Sequence, residues 1–124
     1  MSNPHEHRNE VHLVGRVTRD PVVHRLPSGD TVVSLWLVVK RPPLTLIRRG
    51  RQSVDTLELV ARTSSVKDVV AEWRPNDVVA ASGALRHRFW QGNGGLRSKY
   101  EVELADVVLL HRPDPYGEPA AESG

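Results

Sequence analysis

The chain has 124 residues, enough for one domain with a core of modest size, and its 39% hydrophobic and 26% charged content excludes a disordered polyelectrolyte. No apolar run approaches the roughly 18 residues of a membrane-spanning helix, and the absence of cysteine excludes disulfides and thiolate metal sites. The net charge of +2 is uneven: residues 111–124 carry −2 and the remainder +4, which points to a polyanionic partner.

Residues 1–8 read as disordered, and "MSNPHEHRNE" has no apolar centre like that of a signal peptide, so a cytoplasmic location is expected. "EVHLVGRV" is the first strand, with Val11, Leu13, Gly15 and Val17 on one face and His12, Val14 and Arg16 on the other. "RDPVVHRLPSGD" follows as a connection broken at Pro21 and at Pro27-Ser28-Gly29. "TVVSLWLVVK" is the second strand, "RPPLTLIRRGRQS" a long basic connection, and "VDTLELVAR" the third strand. "SSVKDVVAEW" is a short helix capped by Ser64 or Ser65, with Val66, Val69, Val70 and Trp73 at helical spacing. "DVVAASGALRHRFW" is the fourth strand, Gly92 to Gly95 a hairpin tip, and "LRSKYEVELADVVLL" the fifth; Pro113, Pro115 and Pro119 mark a disordered tail over 111–124. Five strands with one short helix between the third and fourth predict an all-β, five-stranded Greek-key OB-fold barrel over residues 9–110.

Alternation then sorts the side chains. With Leu85 facing inward, His87 and Phe89 share its side, and Arg86, Arg88 and Trp90 point outward. Val33, Leu35, Leu37 and Val39 face in on the second strand, and Leu57, Leu59 and Ala61 on the third. One outer surface thereby collects Trp36, Lys40, Arg62, Arg86, Arg88 and Trp90. Exposed indole among guanidiniums suits single-stranded nucleic acid: each base offers a π-face, worth about 1–3 kcal/mol when stacked, and each phosphate offers a charge. The candidate DNA contacts are Trp90, Trp36, Lys40, Arg41, Arg48, Arg49, Arg51, Arg62, Arg86, Arg88, Arg97 and Lys99. Four to six phosphate contacts, the order suggested by Arg48, Arg49, Arg51, Arg86, Arg88 and Arg97, imply a log–log salt slope of roughly −3 to −4.

Other readings of the same residues stay open. Trp36 could pack in a subunit interface, Trp90 could staple a hairpin, and "RRGR" at 48–51 could be a solvated loop. Trp73 reads as core, and His87 as a packed or hydrogen-bonded barrel residue rather than a ligand. "HEH" at 5–7 offers only two histidines on a terminus, and no metal or cofactor is expected. No Cys nucleophile, phosphate-loop Gly-Lys motif or helical two-His motif is present, so an enzyme is not expected.

The ordered set of segments resembles the bacterial single-stranded DNA-binding protein family. "NEVHLVGRVTRDPVVHRLPSGDTVVSL" at 9–35 carries its Asn9, Gly15, Asp20-Pro21 and Ser28-Gly29. "GALRHRFW" at 83–90 resembles its fourth strand, and "YEVELADVVLL" at 100–110 its closing strand. The resemblance implies an OB-fold that coats single-stranded DNA in replication, recombination and repair, usually as a homotetramer, with Trp90 at the place of a base-stacking tryptophan. An exposed edge on the first strand, with His12 and Val14 outward, would serve assembly. The chain departs from the family where Thr56 and Arg62 stand in place of aromatics, in the connection after the second strand, which has no aromatic, and at Trp36, where a small polar residue is more usual. Glu58 would oppose phosphate unless it pairs with a neighbour such as Arg86. The tail "GEPAAESG" has no bulky residue like the acidic and hydrophobic tip by which family members recruit replication and repair proteins. The runner-up function is an OB-fold accessory subunit of the primosome type, acting mainly through protein contacts.

Overall fold

Valine-rich alternation generates the first strand, β1 (Val11–Val17), whose odd-numbered residues are partly or fully buried and whose even-numbered residues are exposed. The remaining elements are β2 (Val22–Arg25), β3 (Thr31–Lys40), β4 (Val54–Ala61), α1 (Ser64–Val70), β5 (Val78–Gly92) and β6 (Gly95–His111). These come from a computed structural model that describes residues 3–43 and 53–114. Arg48, Arg49 and Arg51, and the tail from 115 on, lie outside the described residues.

The sheet runs β1-β5-β6-β4-β3, and β1 also pairs with β3 through Arg16↔Val38 and Val17↔Leu37, which closes the barrel. The expected five-stranded OB-fold barrel with one helix is what forms. Its parallel step is β4 beside β6, at Leu59↔Val102 and Val60↔Glu103. β1 meets β3 only at Arg16 and Val17; from Val11 to Gly15 its one ladder partner among the described residues is β5, so that stretch, which carries His12 and Val14, keeps an open edge.

The connection between the first two expected strands contains an extra strand. In β2, Val22–Arg25 pair antiparallel with Thr31–Ser34, on the same edge of β3 that β1 uses further along. Pro21 lacks an N–H and interrupts that edge, and the ladder resumes at Val22↔Ser34. All four β2 residues are exposed, so no buried alternation marked them in the sequence.

The core lies between the walls. Leu35, Leu37, Leu59 and Val79 are fully buried, and Leu35 faces Leu59 across the β3–β4 ladder. Each such side chain contributes about 1.5–3 kcal/mol of burial. The helix α1 packs against β3, β4 and β6, inserting Val66 and Val70, while Trp73 just beyond it is 3% exposed and belongs to the core. Neither Ser64 nor Ser65 caps the helix: Thr63 occupies the N-cap position and makes no side-chain capping bond. Instead Lys67 ties the helix to the barrel, donating from Nζ to the Thr31 carbonyl at 3.0 Å and to its Oγ1 at 3.1 Å.

Two details set up the long β5–β6 hairpin. Opposite Ser82 and Gly83 the register on β6 jumps from Asp106 to Leu104, so Ala105 is an extra residue that bends the ribbon. At Gly83 the two strands approach so closely that a Cβ would collide with the Glu103 carbonyl. Beyond Gly83, β5 leaves β1, and Asn9 completes the edge: its side chain accepts from Leu85 N and donates to Leu85 O, both at 2.8 Å. From there to the Asn93-Gly94 turn, with Gly94 at φ +93°, β5 and β6 pair with each other as a projecting arm.

Candidate nucleic-acid interface

The arm's register decides which side chains meet. Trp90 faces Arg97, Arg88 faces Lys99, and Arg86 faces Glu101, all on one face of the ribbon. That face continues onto the outer wall of the barrel through Val60 and Glu58 of β4 and Ser34 and Trp36 of β3. A shallow groove of about 330 Å³ crosses this wall between the β2 hairpin and the arm, lined among others by His24, Ser34, Glu58, Arg62, Arg88 and Glu101. His24 Nε2 lies 3.0 Å from Ser34 Oγ, fixing the hairpin side.

Trp90 is 43% exposed near the tip of the arm, bordering a polar hollow that also involves Asn93, Leu96, Arg97 and Ser98. Lys99 Nζ sits 5.9 Å from its ring centroid, within cation–π reach. Arg97 bonds the Asn93 carbonyl at 3.4 Å and has no carboxylate partner among the described residues. The expected neighbourhood of indole and cations is therefore present.

Most of the other cations are already engaged. Glu101, with its side chain 3% exposed, accepts from Arg88 Nε at 2.7 Å and from Arg62 Nη2 at 3.4 Å. Arg86 pairs with Glu103 at 2.8 Å, Lys99 with Glu58 at 3.0 Å, and Arg41 with Asp55 at 3.0 Å. Glu58 thus has a partner as required, but it is Lys99 rather than Arg86. The pairs along the arm are diagonal cross-strand neighbours, the reach expected of long side chains on a ribbon. A phosphate entering here would have to displace a carboxylate instead of meeting a free cation, which would lower the charge each contact gains. The Arg62 Nε is buried without a hydrogen-bond partner, so that guanidinium is only partly satisfied by Glu101.

Trp36 is on this outer wall, opposite Glu58, but it is half-buried and not an open platform. The Arg19 guanidinium covers its ring at 4.3 Å from the centroid. Arg19 comes from the break between β1 and β2, a region in which strand alternation gives no orientation. Lys40 is exposed and Arg41 pairs with Asp55, both at the C-terminal end of β3, where Lys40 faces Val54.

The inward assignment of Leu85, His87 and Phe89 does not hold. Their side of the ribbon continues the core face through Val102, but the arm has left the barrel, and Leu85 and Phe89 are 46% and 60% exposed. His87 is exposed too, stacked on Tyr100 rather than packed in the barrel. Sequence reasoning passed over Glu101, Glu103 and Tyr100. The hairpin register, counted back from Asn93-Gly94, was the signal that could have found them.

Glu101→Gln is expected to keep the fold and free Arg62 and Arg88 for phosphate. The log–log salt slope of oligonucleotide binding then steepens by about 0.7 per freed contact, read by anisotropy titrations at several salt concentrations. An unchanged slope would show that these two arginines meet no phosphate.

Comparison with known proteins gives the family and the fold. A model of the single-strand binding protein family matches residues 8–110. The chain is 28% identical over 105 residues to the single-stranded DNA-binding protein of Aquifex aeolicus (strain VF5), covering 85% of this chain and 71% of that protein. It is 30% identical over 100 residues to single-stranded DNA-binding protein 3 of Listeria innocua, covering 81% of this chain and 61% of that protein. Against the single-stranded DNA-binding protein of Deinococcus radiodurans, 30% identity over 105 residues covers 84% of this chain and 35% of that protein. The chain therefore spans only part of the length of these relatives. Among solved structures, a Plasmodium falciparum SSB complex with ssDNA superposes with a TM-score of 0.73 at 22% identity, covering 90% of this chain and all of that one, a likeness of fold.

Proposed function

The chain belongs to the single-strand binding protein family, and we propose that it is a non-enzymatic, cytoplasmic protein that binds single-stranded DNA with little base preference and protects it during replication, recombination and repair. The observation that carries this reading is Trp90, exposed on the arm among Arg88, Arg97 and Lys99. An indole there stacks on any base, since every base has a π-face. Arg97 supplies an unpaired cation, while Arg62, Arg86, Arg88 and Lys99 exchange their carboxylates for phosphates. Lys40 and Arg41 extend the basic track to the C-terminal end of β3, and Arg48, Arg49 and Arg51 follow them in the sequence. Trp36 supports this wall from under Arg19 and adds stacking area only where Arg19 moves aside.

Assembly into a homo-oligomer, a tetramer by family resemblance, is part of the same proposal. Its support is a second wall, formed by β1, β5 and β6, where Val14 and Val108 are 58% and 54% exposed on either side of Ala80. An apolar patch of that kind on a small domain marks a contact surface. Sedimentation at micromolar protein should give a multiple of the chain mass, and a strictly monomeric mass would remove the idea.

The function is tested by anisotropy titration with single-stranded oligonucleotides of several base compositions and a duplex of matched length. Comparable affinity for every single strand, and much weaker affinity for the duplex, is the expected result. Failure to bind any single strand would leave the accessory-subunit reading, in which this wall serves a protein.

A further inference from the structure

The face of the arm opposite Trp90 has its own row of rings. His87 stacks on Tyr100 with centroids 4.1 Å apart and planes 14° from parallel, and it contacts Phe89 on the same strand at 4.2 Å with a 46° tilt. The three rings form a short column with His87 in the middle. Phe89 and Tyr100 at its ends are 60% and 63% exposed, and Leu96 nearer the tip is 69% exposed. A column of rings left open at both ends is not explained by packing, because the barrel does not reach this part of the ribbon.

Continuity with the front face selects the occupant. The arm's cations Arg86, Arg88, Arg97 and Lys99 all lie on the Trp90 face, where Glu103, Glu101 and Glu58 pair three of them, and Arg97 beside the tip has no carboxylate partner among the described residues. A polyanion stacked on Trp90 and held at Arg97 is delivered to the edge of the arm, and one whose repeating unit carries a flat ring can extend the column on the other side. The turn at the tip is only Asn93-Gly94 wide, so this face and the Trp90 face meet across a thin edge.

We infer that the Phe89–His87–Tyr100 face is a second base-stacking site, occupied by nucleotides of the same single strand after it has passed Trp90 and rounded the arm. The inference rests on the single-stranded DNA reading. It assigns the arm two binding faces, so that the length of DNA contacted exceeds what the front wall alone can hold.

The test uses a Phe89→Ala/Tyr100→Ala double variant and two oligothymidylates, of about 8 and about 20 nucleotides, chosen around the roughly 4–16 nucleotides that one OB-fold binds. Both side chains are exposed, so thermal melting should hardly change. The Kd for the longer strand should rise by roughly five-fold to a hundred-fold, the loss of at least one stack, while the Kd for the shorter strand stays close to that of the wild type. Phe89→Ala combined with Tyr100→Trp should restore most of the affinity for the longer strand. Unchanged binding of both lengths overturns the inference and leaves the front wall intact. Loss of self-association with unchanged affinity per protomer also overturns it, since the column would then serve protein contact. Failure of the wild type to bind either length removes the single-stranded DNA reading itself.

Discussion

Arg112→Ala should destabilise the fold by about 3 kcal/mol, the low end of what breaking a buried ion pair costs. In a domain of this size that corresponds to a melting temperature lower by roughly 10 °C. Asp77, fully buried immediately before β5, accepts from Arg112 Nε at 2.9 Å and from Arg112 Nη2 at 2.8 Å. The same guanidinium bonds the Glu72 carbonyl at 3.2 Å, joining the end of β6 to the segment after α1. Without Arg112 the carboxylate keeps only the Arg74 N–H, at 2.8 Å. The bond from Arg112 holds the Asp77 carboxyl below the usual carboxylate range, outweighing the opposite effect of burial. A carboxyl whose folded pKa is lowered contributes stability above its unfolded value of about 3.9, and that contribution is lost as pH falls below it. The melting gap between wild type and Arg112→Ala should therefore be widest near neutral pH and narrow below about pH 4. A gap that does not change with pH would show that Arg112 acts through packing alone.

Trp90→Ala should weaken single-strand binding by about 1–3 kcal/mol, one stacked base, which is roughly five-fold to a hundred-fold in Kd. Its ring has substantial exposure and borders a largely polar hollow near the tip, so stability should change by about 0.5 kcal/mol or less. Opposite behaviour is the informative failure. If the melting temperature drops by several degrees while affinity is untouched, Trp90 is a staple for the hairpin and the arm's front face is not a base platform. Arg97→Ala offers the electrostatic comparison, since Arg97 has no carboxylate to release among the described residues. It should weaken all sequences alike and flatten the salt slope by about 0.7.

The barrel was legible because its signals are local and strong. Strand alternation placed Leu35, Leu37, Leu59 and Val17 inside, and helical spacing placed Trp73 against them. The arm's front face was legible for the same reason: Arg86, Arg88 and Trp90 share a side of any strand that contains them. What alternation cannot say is where a barrel ends. Leu85 and Phe89 continue the buried side of β5 in phase, yet no described residue covers them once the bulge at Ala105 turns the ribbon outward. Four-residue β2 left no trace because it buries nothing. The pairing of cations with Glu58, Glu101 and Glu103 needs the register of three strands at once, and Arg19 over Trp36 depends on a strand break with no periodicity. These tertiary facts change the electrostatic expectation most, since a slope of roughly −3 to −4 presumed cations free to meet phosphate.

The central claim is that Trp90 touches a base when single-stranded DNA is bound, and tryptophan emission reports on it directly. Wild type and Trp90→Phe are titrated with the same oligothymidylate while fluorescence and anisotropy are recorded together. The account predicts that both proteins bind by anisotropy, and that the quenching seen in the wild type is largely absent from Trp90→Phe. Equal quenching in the two proteins, or no anisotropy change in the wild type, would contradict it.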